Sequence, residues 1–376
     1  MGNEIELASV ITDIAAGPFG SNLKVECFVP YGFPIIDGAN LKGYKVTDNL
    51  TKFVTEEKAR FLSRSIARRG DVVVTISGTL GQIAYIPEDS MFEEYLCSQR
   101  QFRASFDTSQ VYVPYLVFYF HTFEGQNKIL SFANQTGVPA LSQPLKNFKK
   151  IRLCLPDYPT QKKIASIIEA FNDKIECNQK INDNLEQQAQ AIYCDLFITN
   201  ANPSWQLGRL SDLITVRYGK DHKKLADGIY PVYGSGGIMR YVEKPLYDKE
   251  SVLIPRKGTL NNVMYVNKPF WSVDTMFFTE MKLPNVAKFV FHFVKSKDLA
   301  SLNAGSAVPS MTTDILNAME LPIPDADTFY RFENIVAPLY QAMQQNTQES
   351  SKLAELRDLL LPRLMSGELD VSSIDL

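Results

Sequence analysis

The chain has 376 residues, 45% hydrophobic and 22% charged, with 39 Lys and Arg against 42 Asp and Glu for a formal net charge of −3. That length and ordinary globular composition suit two or three domains, and the acidic balance argues against an indiscriminate nucleic-acid binder, which carries a strongly basic surface. No apolar run reaches the ~18 residues of a membrane helix, the start MGNEIELASV lacks the parts of a signal peptide, and Glu6 departs from a myristoylation pattern, so a cytoplasmic protein without membrane contact is expected.

The opening stretch, LASVITDI, is apolar-patterned, and a second start of the same kind, LSDLITVR, begins at Leu210. Between them, VVVTISGTLGQIAYI (72–86) reads as two strands joined by a glycine-containing loop. VLIPRKGTLNNVMYV (252–266) repeats it at a shift of 258 − 78 = 180, with apolar types agreeing through Tyr85 and Tyr265. A repeat of that period is a duplicated domain rather than a solenoid. Each copy closes on a valine-proline loop and a proline-bounded strand, GVPALSQPLKNFKKIRLCLP and SAVPSMTTDILNAMELPIP. There the shift is 324 − 156 = 168.

After each copy, glycine and proline nearly vanish and the spacing becomes helical. Ile164, Ile168, Phe171, Ile175, Asn178, Asn182, Leu185, Ala189, Ile192 and Leu196 recur at steps of four and three, the seam of a coiled coil. Phe332, Val336, Leu339, Met343, Asn346, Ser350, Leu353, Arg357, Leu360 and Leu364 reproduce that seam at a shift of 168. The polar interruption falls at the same depth in both, so Asn178, Asn182, Asn346 and Ser350 are expected to pair the helices in register; the alternative is that each helix packs on its own lobe. Pro338, where the first helix has Ala170, should bend the second. The expected domains are 1–158, 159–199, 200–326 and 327–376.

Charge separates these segments. Residues 1–158 hold 16 basic and 16 acidic side chains and residues 200–326 hold 15 and 12, whereas the helical stretches 159–199 and 327–376 hold 4 and 6, then 4 and 8. The lobes carry basic clusters: RSIARR (64–69), KNFKK (146–150) with Arg152, and KDHKK (220–224). A solvated face is the commoner fate of any one of them. Position gives them meaning. Arg256, Lys257, Thr259, Asn261 and Asn262 occupy a loop between two strands, where arginine and asparagine can reach base edges bidentately and a glycine permits close approach. The candidate DNA-contacting set is therefore that loop, its first-lobe relatives Ser77, Thr79 and Gln82, Arg100, Lys146 and Lys149, and Lys220, Lys223, Lys224 and Arg240 in the second lobe.

Several stretches, in this order, resemble the specificity subunits of type I restriction-modification enzymes. They are GPFGSNL, GDVVVTISGTLGQIAYIP, TQKKIASIIEAFNDKIECNQKINDNLEQQAQAIYCDLF, YPVYGSGGI, SVLIPRKGTLNNVMYVNKPFWSVDTMFF and LRDLLLPRLMSGEL. The resemblance implies an α+β fold: two homologous β-rich target-recognition domains separated by two long antiparallel coiled-coil helices, pseudo-twofold symmetric. It further implies double-stranded DNA as ligand, a bipartite target read half by each lobe, and two methyltransferase subunits docked on the helices, with restriction subunits joining through them. Thr160-Gln161 and Thr328-Phe329 depart from the family's usual helix starts, and Asn261 stands where the first lobe has Gly81.

No catalytic site is expected. Asn202-Pro203-Ser204-Trp205 lacks the second proline of an amino-methyltransferase loop, and YGSGG (233–237) does not open a helix as a cofactor-cradling loop should. Glu56-x-Lys58 with Asp48 or Asp37 is the nearest approach to a nuclease centre. Five scattered cysteines (Cys27, Cys97, Cys154, Cys177, Cys194) and three distant histidines (His121, His222, His292) form neither a disulfide framework nor a metal site. Cofactor and metal are expected to be absent, S-adenosylmethionine belonging to the methyltransferase partner. The competing readings are a self-contained DNA-modifying or DNA-cleaving enzyme and a structural coiled-coil adaptor.

Overall fold

The computed structural model describes residues 3–134, 139–302 and 310–371. They divide into two compact units, Met1–Cys177 with Glu349–Leu376, and Asn178–Gln348. Each long helix is thus shared, one part packing with each lobe.

In the first unit, Asn3–Glu6 pairs antiparallel with Arg152–Leu155 and ties the start of the lobe to its end. A four-stranded antiparallel sheet follows, in the order Ile11–Ala16, Gln101–Phe106, Val72–Thr75, Ile83–Tyr85. The unbroken Val72-Val73-Val74 run has a physical cause. Val72 and Val74 pack with Phe102 and the helices Val113–Phe120 and Phe123–Leu130, while Val73 points to a second cluster with Ile36 and Tyr95, so neither face meets water. A second sheet runs Phe53–Val54, Phe33–Ile36, Glu94–Cys97, Ile66–Arg68, with the Phe33–Ile36 and Glu94–Cys97 pair parallel.

The second unit repeats this plan. Gln206–Arg209 pairs with Glu320–Ile323, and the main sheet runs Ile214–Tyr218, Met276–Met281, Ser251–Pro255, Met264–Val266. Its other sheet, Gly237–Val242, Asp227–Gly234, Trp271–Ser272, again holds one parallel pair. Ala287–Lys295 stands where the first unit has Val113–Phe120, and Thr313–Asn317 where it has Pro144–Lys149. Phe123–Leu130 has no counterpart among the described residues, which accounts for part of the fall in shift from 180 to 168. Of the closing loops, residues 135–138 and 303–309, including Val138, Val308 and Pro309, lie outside the described residues.

The long helices span Tyr158–Cys194 and Ala326–Met365. They start alike: Asp157 Oδ1 accepts from Thr160 N at 2.9 Å and Asp325 Oδ1 from Thr328 N at 2.7 Å, capping the first turn. All twenty seam residues are buried or half-buried. In the first unit Arg357 Nη1 donates to Asn172 Oδ1 at 2.9 Å, Lys174 pairs with Glu349 at 3.3 Å, and Ile164 and Ile168 pack with Leu361 and Leu364. In the second, Asn178 Nδ2 donates to the Asn346 carbonyl at 3.4 Å, Asn182 Nδ2 to the Met343 carbonyl at 3.3 Å, and Asn346 Nδ2 to Asn182 Oδ1 at 2.9 Å. Numbers rise on one helix as they fall on the other, so the pairing is antiparallel in each unit. Ser350 lies half-buried on the same seam.

The helix also packs on its lobe: in the second unit Ala189, Tyr193 and Phe197 share one core with Phe289, Val290 and Phe293 of the lobe helix Ala287–Lys295. Pairing and lobe packing therefore coexist. Helix continues through Pro338, which is exposed, so the lost N–H does not end it.

Candidate nucleic-acid interface

The two hairpin loops, 76–82 and 256–263, are built on one frame. Ile76 N donates to the Arg100 carbonyl at 2.6 Å and Arg256 N to the Thr275 carbonyl at 2.9 Å; Leu141 N donates to the Ile76 carbonyl at 2.8 Å and Met311 N to the Arg256 carbonyl at 2.9 Å. Gly78 and Gly258 sit at φ of +92° and +86°, a conformation that glycine reaches without strain. The loops then diverge. Gly81 also has positive φ (+86°), whereas the longer second loop holds Asn261 without it.

A second pair of matched loops flanks them. Gly17 N donates to the Gln101 carbonyl at 2.8 Å and Gly219 N to the Met276 carbonyl at 3.0 Å. A Cβ on Gly17 would lie 1.9 Å from the Ser98 carbonyl oxygen, and one on Gly219 2.0 Å from that of Val273, so both positions exclude any side chain.

In the first unit these loops bring Ser77, Thr79, Gln82 and Arg100 around one cleft of about 630 Å³, with Lys52 and Gln101 also lining it. Arg100 and Thr79 are exposed. Gln82 is held: it accepts from the Thr75 hydroxyl at 3.1 Å and its Nε2 donates to the Gly38 carbonyl at 3.1 Å, which leaves part of the amide to face the cleft. Leu23, Val25 and Phe28 add apolar side chains to the lining. Lys146 and Lys149 are exposed on the helix Pro144–Lys149 and do not line this cleft.

In the second unit Lys257 and Thr259 are exposed, and Arg256 lies with its guanidinium 5.3 Å from the Tyr218 ring centre while Nη1 donates to the Asp274 carbonyl at 3.4 Å. Lys220 comes close to them through its backbone, Lys220 N donating to the Ser272 carbonyl at 2.8 Å and its carbonyl accepting from Trp271 Nε1 at 2.9 Å. Asn261 has another job. Its Nδ2 donates to Asp298 at 3.0 Å and its Oδ1 accepts from Ala300 N at 3.0 Å, so the amide is spent on pinning the loop. Asn262 Nδ2 likewise donates to the Ser235 carbonyl at 2.8 Å. Arg240 is drawn to the Leu225 carbonyl (2.9 Å) and Asp227 (2.8 Å), and Lys223 and Lys224 are exposed on the turn before Asp227–Gly234. The residues that sequence reasoning did not single out, Lys52, Gln99 and Gln101, come from segments that only the fold carries to the hairpin loop.

The three carboxylates Glu56, Asp48 and Asp37 each have a partner of their own. Glu56 begins a short helix and pairs with Arg60 at 2.7 Å, Asp48 accepts from Tyr95 Oη at 2.5 Å, and Asp37 pairs with Lys52 at 2.7 Å. Among the described residues no group of His, Cys, Asp and Glu is placed to hold a metal, and no helix is long and apolar enough to cross a membrane. The YGSGG stretch forms a hairpin turn between Asp227–Gly234 and Gly237–Val242.

The arrangement defines a class of protein: a duplicated α+β chain whose polar chemistry sits on matched surface loops, with two long helices shared between the copies. A family model, "Type I restriction modification DNA specificity domain", matches residues 26–187 and again 202–355. The chain belongs to that family and is a specificity subunit with two recognition domains, a non-catalytic component of its system. It is 21% identical over 365 residues to the type I restriction enzyme MjaIX specificity subunit of Methanocaldococcus jannaschii (85% of this chain, 82% of the relative). It is 22% identical over 329 residues to the HindI specificity subunit of Haemophilus influenzae (58% and 69%). The crystal structure of the S subunit of a type I restriction-modification system from M. genitalium is similar in fold, with a TM-score of 0.60, 17% identity and 96% of both chains covered.

Proposed function

We propose that this chain selects the DNA target of a type I restriction-modification complex by reading two separate half-sites in duplex DNA, one with each lobe. The long helices dock two methyltransferase subunits, through which restriction subunits join, and their length sets the gap between half-sites. S-adenosylmethionine and the methyl transfer belong to the methyltransferase, and the complex works in the cytoplasm. The supporting observation is the hairpin loop itself: the same backbone frame carries Ile76-Ser77-Gly78-Thr79 in one unit and Arg256-Lys257-Gly258-Thr259 in the other. Two readers with a common frame and different side chains suit a two-part target whose halves differ in sequence.

Exchange of residues 200–326 for the equivalent lobe of a relative, followed by genome-wide mapping of methylated bases, tests this. One half of the methylated motif should change and the other persist. Simultaneous change of both halves, or no change, refutes it.

A further inference from the structure

The loop Gly17-Pro18-Phe19-Gly20 presents a phenylalanine that is 83% exposed. Its surroundings are rigid. Gly17 is clamped against the Ser98 carbonyl with no room for a Cβ, Pro18 fixes its own φ, and Asn22 N donates back to the Phe19 carbonyl at 2.8 Å. The ring therefore stands on a preset loop rather than a pliant one. It borders a groove of about 410 Å³ shared with Ser77, Gln99 and Arg100, beside the cleft described above. The second unit keeps the clamped glycine but continues Gly219-Lys220-Asp221-His222, with an acidic residue two positions after the glycine, as Phe19 stands two after Gly17.

We propose that Phe19 is a wedge that enters the base stack of duplex DNA in the half-site met by the first unit. The inference rests on the DNA-reading function proposed above and deepens it. An apolar ring carried into DNA by a stiff loop gains stacking on any base, because every base has a π face, and it separates one base step at the cost of local unstacking. The neighbouring Arg100 guanidinium and Ser77 hydroxyl would hold phosphate or base edges next to the opened step. With aspartate at the matching position, the second unit lacks the device, so the two half-sites are engaged unequally: one deformed, the other not. Selectivity at that step then follows the ease of unstacking, not base-edge hydrogen bonds alone.

The test uses the full chain assembled with its methyltransferase subunits, on duplexes carrying the mapped target with 2-aminopurine at successive positions. Unaltered complex should raise the fluorescence at one step in a single half-site, in addition to any signal from the methylated bases. Phe19→Ala, a change at an exposed position, should abolish that extra signal and weaken binding roughly tenfold, whereas Phe19→Trp should keep both. Identical fluorescence and affinity for Phe19→Ala and the unaltered complex would overturn the wedge alone, as would equal loss in the Ala and Trp variants. Failure of the unaltered complex to bind any of the duplexes would overturn the function reading and the wedge with it.

Discussion

Acid should loosen the second unit through one histidine. His292 is fully buried among Tyr193, Phe291, Phe332 and Tyr340, with Nδ1 2.8 Å from Gln190 Oε1 and Nε2 2.9 Å from the Tyr340 hydroxyl. These partners suit the neutral ring, Nδ1–H donating to the glutamine and Nε2 accepting from the tyrosine. Burial, then the Lys295 charge one turn along, lowers its pKa from 6.5 to about 4. Because the folded value is depressed, the unfolded chain takes up the proton first, and stability is intact above pH 6.5 and lost as pH falls towards 4. At 1.36 kcal/mol per pKa unit the loss is about 2 kcal/mol at pH 5 and about 3 kcal/mol at pH 4. Both tryptophans, Trp205 and Trp271, lie in this unit, so their fluorescence during urea unfolding reports it selectively. His292→Phe, which installs the residue type of Phe118 in the matching first-unit helix, should cost about 1–3 kcal/mol at pH 7 by stranding Gln190 and Tyr340, yet remove the pH dependence. A gap between variant and parent that stays constant from pH 7.5 to 4.5 would refute the reasoning.

Three further outcomes follow from the interface and the helices. Gly17→Ala and Gly219→Ala should each destabilise by about 1–3 kcal/mol in urea titrations, because backbone must move, while Gly43→Ala, with nothing within 4 Å of its Cβ, should leave the midpoint unchanged. In the assembled complex Arg256→Ala should cost about 1–3 kcal/mol at one base position, whereas Lys223→Ala should weaken binding evenly and lower the salt slope by about one, as read from binding titrations over sequence variants and salt. Four residues inserted between Cys177 and Asn178, matched by four between Gln348 and Glu349, lengthen both helices by about 6 Å and should widen the gap between half-sites by about two base pairs, as seen by methylation mapping on a library of gaps.

The insertion has to be double because of what the seam does. A single insertion beside Ala189, which the helical spacing alone would allow, would carry Gln190 away from His292 and break the core around Tyr193. Sequence could not reveal this, since the seam pattern records which residues face inward and not whether they meet the other helix or the lobe. Periodicity did carry the helices and the paired strands, because burial of one face imposes a repeat along the chain. Polar loop residues impose none. Asn261 and Arg256 lie five positions apart and look equally fit to touch a base, yet one amide is consumed by Asp298 and Ala300 while the arginine stacks over Tyr218. Gln161, in the first turn of its helix, is 1% exposed; it accepts from Tyr112 N at 2.8 Å and donates to the Gln110 and Pro156 carbonyls, joining lobe to helix within the first unit. Its role depends on backbone groups fifty residues away, which no local pattern contains. The same limit hid Phe19. Its exposure makes sense only once Gly17 is seen pressed against Ser98, a contact between segments about eighty residues apart that turns a glycine-rich loop into a fixed mount for an aromatic ring.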